Sequence, residues 1–173
     1  MKRYIKSAVV DPRDEQDPYT KAYIAKNDLS LRCIYDLAND PDSSARRGVA
    51  DNPNCPDELL VQLAKDPEFI VRLGVALNPK TPTSVLEDLA HDSNKWVAEN
   101  AMGNPSIPIE TVLYIFRSNH PYGPYYSAAL GGLIKQLDNH DLPLDALQVL
   151  AKYPDDAVND KANAQLTRMR RSR

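Results

Sequence analysis

Residues 78–92 read Asn-Pro-Lys-Thr-Pro-Thr-Ser-Val-Leu-Glu-Asp-Leu-Ala-His-Asp, and this stretch decides the fold. Pro82 predicts the first turn of a helix, because a proline there loses no hydrogen bond and its fixed φ suits the helix. Leu86, Leu89 and Ala90 follow at intervals of three and four residues, which is typical of a helix with one apolar side. The stretch therefore predicts a short helix that starts directly after an Asn-Pro turn.

The same pattern recurs along the chain with a period of 26 residues. Several independent positions keep this phase, so the chain contains an internal repeat. Each unit predicts two short helices: helix one after the Asn-Pro turn, and helix two after an aspartate. Repeat positions also account for most of the 14 prolines. The recurring residues are Asn52-Pro53, Asn78-Pro79 and Asn104-Pro105; Leu37-Ala38, Leu63-Ala64 and Leu89-Ala90; and Asp40, Asp66 and Asp92.

Residues 78–92, together with Val71-Arg72-Leu73-Gly74-Val75-Ala76-Leu77 before them, resemble the bacterial leucine-rich repeat variant family. The units of that family are similar to short HEAT repeats, and the resemblance extends over residues 30–112. Repeat and resemblance together predict an all-α fold, a right-handed α-solenoid of short HEAT-like helix pairs. One member type of the family carries an N-terminal cysteine cluster that binds an iron–sulfur centre. This chain lacks that cluster, so no cofactor is expected.

The periodicity predicts four regions. Residues 1–29 are predicted to form an N-terminal half repeat that caps the array, and residues 30–118 to form three full units. Residues 119–142 break the period and are predicted to be an irregular insertion rich in Tyr, Pro and Gly, with Gly131-Gly132 at a turn. Residues 143–173 are predicted to be a degenerate terminal repeat with a basic tail, because the end of a stack must present a wettable face.

Composition and charge exclude several classes of protein. A chain of 173 residues with a net charge of −3 and 42% hydrophobic residues suits neither a strongly basic nucleic-acid-binding protein nor a disordered one. No apolar run approaches the ~20 residues that a membrane-spanning helix requires. Cys33 and Cys55 cannot build a disulfide framework or a four-thiolate metal site. We therefore expect a cytoplasmic protein with two free thiols, of which Cys33 is a buried small apolar residue.

Catalytic and metal-binding chemistry lacks a supporting motif. His91, His120 and His140 lie far apart in the sequence, and neither cysteine has a second ligand at a usual zinc spacing. His91-Asp92 beside Trp96 resembles a catalytic fragment, but Asp92 belongs to the repeat, which favours a turn. The sequence therefore predicts neither an enzyme nor a metal site, and no catalytic residue is assigned.

Nucleic-acid binding is an alternative function, because some HEAT-like proteins grip DNA with a basic concave face. Helix two carries Arg46, Arg47 and Arg72, although an ion pair with an acid of a neighbouring unit is the alternative for Arg72. The basic positions do not continue into the third unit, where Glu99 stands. Residues 1–160 hold 16 basic and 24 acidic side chains, and this net charge of −8 repels DNA.

Protein binding suits the sequence better. In a stack of repeats, residues that face neighbouring units recur, and those on the free surface vary. Ile70 and Trp96 are large apolar residues at a position where the preceding unit has Ser44, and if exposed they suit an interface anchor. Packing of Trp96 over a gap between helices is an equal alternative. Tyrosines of the insertion form a second candidate contact area, with simple packing as their alternative.

The sequence therefore predicts a non-enzymatic scaffold that binds a protein partner through helix two, and no membrane partner. A HEAT-like nucleic-acid-binding protein is one alternative. The other is an inhibitor from a phage or mobile element that occludes a host protein. The predicted partner-binding residues are Arg46, Arg47, Ile70, Arg72, Trp96, Glu99, Tyr122, Tyr125 and Tyr126.

Overall fold

Among the residues that the structure describes, the fold is helical, as predicted, apart from one short pair of strands. The chain divides into two compact units, Met1–Lys80 and Thr81–Arg173. The computed structural model describes residues 3–5, 8–10, 21–22, 25–26, 31–118, 126–139, 142–152 and 155–171. It describes the backbone alone for residues 3–5, 8–10, 31–33, 116–118, 126–127 and 139.

The first unit opens with two antiparallel strands that the all-α prediction did not include. Their backbones pair so that Arg3 lies opposite Val10. In the helical part that follows, the second helix packs against the first, third and fourth, and the third packs against the fourth. The elements are β1 (Arg3–Ile5), β2 (Ala8–Val10), α1 (Leu31–Leu37), α2 (Ser43–Ala50), α3 (Asp57–Leu63) and α4 (Phe69–Leu77).

The second unit is built from three consecutive helix pairs. Within each pair the first helix packs on the second, and the second helices also pack on one another. No helix among the described residues of the chain is long and apolar enough to cross a lipid bilayer. The elements are α5 (Thr83–Leu89), α6 (Lys95–Met102), α7 (Ile109–Ser118), α8 (Tyr126–Asn139), α9 (Leu144–Leu150) and α10 (Asp156–Arg171).

The predicted apolar side of helix one is buried in both units. Leu60 and Leu63 of α3 are almost completely buried, and so are Leu86 and Leu89 of α5. Burial of one leucine side chain contributes about 2 kcal/mol. The three- and four-residue spacing thus identified the residues that hold each helix pair together.

Helix one begins one residue later than predicted. Pro56, Pro82 and Pro143 occupy the N-cap position with extended backbone angles, and the helices start at the following residue. The carbonyl oxygen of Pro56 accepts hydrogen bonds from the N–H groups of Leu59 and Leu60, at 3.0 and 3.1 Å. The carbonyl group of the proline therefore accepts the first hydrogen bonds of the helix. This role does not require an N–H group, which proline lacks.

The prediction of a turn at Gly131-Gly132 was wrong, because both glycines lie inside α8. A Cβ atom at Gly132 would lie 2.4 Å from the Cβ atom of Met102 on α6. One at Gly131 would lie 2.7 Å from the Cδ atom of Glu99. The two glycines therefore serve a close approach of α8 to α6, and the predicted insertion at residues 119–142 contains a 14-residue helix.

Candidate protein-binding surface

Buried amide side chains join the ends of successive second helices in the first unit. Asn78 Nδ2 donates to the carbonyl oxygens of Ala50 and Asn52, at 2.7 and 2.9 Å. Its Oδ1 accepts from the N–H of Lys80 at 2.9 Å. Asn52 Nδ2 donates to the carbonyl oxygen of Ala25 at 2.7 Å. Because buried polar groups require partners, these bonds explain why asparagine recurs at this position.

Glutamines make the corresponding bonds in the second unit. Gln136 Nε2 donates to the carbonyl oxygen of Asn104 at 2.9 Å, and Gln165 Nε2 donates to that of Leu137 at 2.5 Å. Both glutamines are 3% exposed. The sequence did not predict them, because Gln136 follows Asn104 by 32 residues and Gln165 follows Gln136 by 29 residues, and neither interval is 26. We call Asn52, Asn78, Gln136 and Gln165 the amide ladder.

Arg46, a predicted binding residue, forms its contacts inside the first unit. Its Nε and Nη2 atoms donate to the two carboxylate oxygens of Asp66, at 2.6 and 2.9 Å. Its Nη1 atom donates to the carbonyl oxygens of Asp40 and Pro41, at 2.9 and 3.0 Å. The side chains of Arg46 and Asp66 are only 14% and 6% exposed. Arg46 therefore braces two consecutive turns of the repeat.

Electrostatics keep the aspartates of these turns ionised. Burial alone would raise the pKa of Asp66, but hydrogen bonds from Arg46 and from the N–H of Glu68 outweigh it and lower the pKa. The hydrogen bond to Asp66 in turn raises the pKa of Arg46. At Asp40, burial also opposes ionisation, but Lys21 Nζ donates to the carboxylate at 2.8 Å and the pKa is lowered.

Arg72 repeats the turn contact of Arg46 one period later. Its Nη1 atom donates to the carbonyl oxygens of Asp66 and Pro67, at 2.8 and 3.0 Å. In the second unit the same repeat position is held by Ala98, which is completely buried. The position therefore faces the interior of the repeat, and the variation from arginine to alanine reflects packing in each unit.

Arg47 lies along the surface between α2 and α4. Its Nε atom is 2.8 Å from Asp51 Oδ1, and its Nη1 atom donates to the carbonyl oxygen of Ile70 at 2.9 Å. Gly74 leaves room for this path, because a Cβ atom there would lie 2.7 Å from the Cδ atom of Arg47. Arg47 thus ties the first turn of α4 to α2.

Glu99 occupies the position of Arg47 in the second unit and follows a similar path. Its Oε1 atom is 3.2 Å from Lys135 Nζ, which also donates to Asn100 Oδ1 at 3.0 Å. The side chain lies beside Gly131, where a Cβ atom would be only 2.7 Å away. Glu99 therefore links α6 to α8 across a glycine.

Trp96 is exposed, which settles the alternative that the sequence left open. It is the second residue of α6, and its side chain is 61% exposed. The Asn94 side chain caps this helix and accepts from the N–H of Trp96 at 3.0 Å. In the first unit, Ile70 is the second residue of α4 and is 37% exposed, beside Phe69 at 36%. Each unit therefore presents a large apolar side chain at the same turn of a second helix.

The tyrosine prediction falls outside what the structure describes. Tyr122 and Tyr125 lie outside the described residues, and Tyr126 begins α8 with a side chain that also lies outside them. The same holds for the side chain of Cys33, which was predicted to be buried. A different tyrosine was missed: Tyr114 of α7 is 72% exposed, and it stands where the preceding unit has an aspartate, an apolar-for-charged change that is visible in the sequence.

One cysteine side chain lies within the part of the chain whose side chains the structure describes. Cys55 is buried, and burial raises the pKa of its thiol to about 12, with Glu58 and Asp57 adding to the shift through their negative charge. No three His, Cys, Asp or Glu side chains of the described part lie together in a way that could hold a metal ion.

The helix pairs, their capped turns and the amide bonds between them define a helical-repeat protein. The family model of the leucine rich repeat variant matches residues 45–68, which cover α3 and most of α2. The resemblance stated from the sequence is thereby confirmed on this segment. No curated protein and no solved structure matches the chain.

Proposed function

We propose that the chain is a non-enzymatic scaffold that binds a protein partner through the exposed first turns of its second helices. The finer architecture that we infer is a right-handed α-solenoid of HEAT-like helix pairs with a 26-residue repeat. A repeat fold by itself serves many functions, so the residues on its surface determine which function it has.

Trp96 carries the proposal. A tryptophan that is 61% exposed leaves much of a large apolar ring in water, and its burial under a partner would be favourable. Tryptophan is enriched among the residues that dominate binding at protein interfaces. The Asn94 cap holds the backbone of Trp96 in place, so little ordering is required on binding.

The exposed pair of the first unit supports the same role for that unit. Phe69 and Ile70 are both more than one third exposed, and the carbonyl group of Ile70 is fixed by Arg47. The arginines contribute mainly by holding these turns, because the hydrogen bonds of Arg46 and Arg47 are directed to groups of their own unit. We therefore place the binding energy on apolar side chains and not on the arginines.

Affinity capture with an immobilised full-length chain tests the proposal. A partner should bind the wild type and be lost with Trp96→Ala, while circular dichroism shows an unchanged helix content. Val149→Ala is the matched control, because it removes an exposed apolar side chain from a first helix of the same unit. Retention of every captured protein by Trp96→Ala would contradict the proposal.

A titration with duplex DNA tests the nucleic-acid alternative. Duplex DNA should not bind at low salt if the scaffold proposal is right. Binding to DNA that weakens steeply between 50 and 200 mM salt, on the order of a thousandfold or more, would identify several phosphate contacts and favour a nucleic-acid-binding function.

A further inference from the structure

A cleft runs between α5 and α7, the first helices of two consecutive pairs in the second unit. It has a volume of about 420 Å³ and is widely open to solvent. None of the residues predicted to bind a partner lines it. The lining residues are Glu87, His91, Glu110, Thr111, Tyr114 and Ile115.

Two carboxylates give the cleft a negative charge. Glu87 and Glu110 are both exposed, and no lysine or arginine lines the cleft. Within the described part of the chain neither carboxylate forms an ion pair. Thr111 Oγ1 donates to Glu87 Oε1 at 3.2 Å, which orients this carboxylate across the gap between the two helices. The cleft therefore offers two carboxylates as hydrogen-bond acceptors to a cationic donor, and Thr111 orients one of them.

The remainder of the lining consists of Ile115, Tyr114 and His91, whose Nδ1 atom lies 3.1 Å from the carbonyl oxygen of Glu87. Ile115 is 2% exposed and forms the floor, while Tyr114 is 72% exposed and stands at the side. An aromatic face attracts a guanidinium or ammonium group, and an apolar wall suits the aliphatic stem of a long basic side chain. A ligand with an aliphatic stem, a positive charge and several N–H donors therefore matches this lining better than a neutral ligand does.

We propose that this cleft receives an arginine side chain of a partner protein. Arginine is favoured over lysine because its planar guanidinium group has five N–H donors and stacks on aromatic rings. Charge complementarity selects this occupant: two carboxylates and a tyrosine line a space that no lysine or arginine lines. The site lies on first helices, so it goes beyond the interface on the second helices.

NMR titration of the full-length chain with capped tripeptides tests the assignment, because a single side chain binds weakly. The probes are acetyl-Gly-Arg-Gly-amide, the same peptide with citrulline, and the same peptide with lysine. Citrulline keeps the shape of arginine and removes its charge. We expect the arginine peptide to shift the backbone amides of Glu110 and Tyr114 saturably, and the citrulline peptide to bind at least about tenfold more weakly.

Variants locate the contact. Glu110→Gln and Tyr114→Ala should each weaken binding of the arginine peptide about threefold to fivefold. Asp88→Asn is the matched control, because it removes the same charge from an exposed residue next to Glu87 that does not line the cleft. Trp96→Ala should leave this titration unchanged, so failure here is distinguishable from failure of the interface on the second helices.

Several results would overturn the assignment. Equal binding of the citrulline or lysine peptide would remove arginine as the occupant. A loss with Asp88→Asn as large as that with Glu110→Gln would reduce the effect to general electrostatic attraction. Shifts at Glu110 and Tyr114 that depend on protein concentration without peptide would assign the cleft to a second copy of the chain.

Discussion

Arg46 and Asp66 are joined by two N–H···O bonds, 2.6 and 2.9 Å long, across 20 residues of sequence. The arginine comes from α2 and the aspartate from the turn after α3, so the pair connects one repeat to the next. Charged hydrogen bonds of this two-pronged kind are stronger than neutral ones and fix orientation as well as distance. Asp66 is therefore both the turn residue of its own repeat and the partner of an arginine from the repeat before it.

Replacement of Asp66 should destabilise the protein. Asp66→Asn removes the charge that neutralises the half-buried Arg46 and cuts the pair to one good hydrogen bond, so we expect a loss of about 2–3 kcal/mol in the free energy of unfolding. Urea denaturation followed by circular dichroism measures it. Asp138→Asn, which breaks the exposed pair with Lys161, should cost less than about 1 kcal/mol.

The same pair predicts a pH dependence of stability. The pKa of Asp66 is lower in the folded chain than in the unfolded one, so folding favours the ionised carboxyl. This contribution is complete above the unfolded pKa of about 4 and is lost as the pH falls through the lower folded pKa. Wild type should therefore lose stability more steeply than Asp66→Asn on acidification below about pH 4. Parallel curves for the two proteins would contradict the assignment.

Loss of an amide from the ladder should be costly. Asn78→Ala removes hydrogen bonds to the carbonyl oxygens of Ala50 and Asn52 and leaves both buried groups without this donor, so we expect about 3 kcal/mol of destabilisation. Asn54→Ala is the matched control, since Asn54 is exposed and should change stability by less than about 0.5 kcal/mol. Thermal and urea unfolding should rank the two variants in the same order.

Neighbouring glycines in α8 should respond differently to the same substitution. Gly132→Ala places a Cβ atom against the Met102 backbone and should cost about 1–3 kcal/mol. Gly131→Ala meets only the Glu99 side chain, which can move, and the helix gains about 1 kcal/mol from alanine, so its stability should be nearly unchanged. Equal effects of the two substitutions would disprove the close approach of α6 and α8 at Gly132.

Cys55 should resist alkylation in the folded protein. With a pKa of about 12, only about one ten-thousandth of the thiol is ionised at pH 8, and the group is also buried. Iodoacetamide treatment followed by peptide mass spectrometry should find Cys55 unmodified in buffer and modified in 8 M urea. Rapid modification in buffer would show that the site opens without unfolding.

The sequence predicted the helical fold and most helix positions because the spacing of its apolar residues is also the spacing at which side chains pack in the core. Leu60 and Leu86 are buried where the spacing predicted, and Asn78 is buried because its amide joins two helices. Contacts between residues that lie far apart in the sequence could not be predicted. Arg46 varies along the repeat like a surface residue, yet it is held by an aspartate 20 residues away.

Two other features that the sequence did not predict also depend on contacts in three dimensions. Gly131-Gly132 suggested a turn because a glycine pair is common in turns, whereas here the absence of a Cβ atom serves helix contact. The cleft beside Tyr114 depends on the gap between α5 and α7, and no local motif reports such a gap. A period of 26 residues predicts which positions are equivalent, but the contacts of each position are visible only in the structure.

The exposure of Trp96 has a practical consequence for all of these measurements. Trp96 is the only tryptophan of the chain, so every photon of indole emission comes from one known place on the surface. A ring that is already wetted changes its surroundings little when the chain unfolds, and its emission is a poor gauge of stability. The same ring would move from water into a dry contact when covered, and a shift of its emission to shorter wavelength would report occupancy directly. The intrinsic fluorescence of Trp96 thus reports on the surface where we propose that a partner binds.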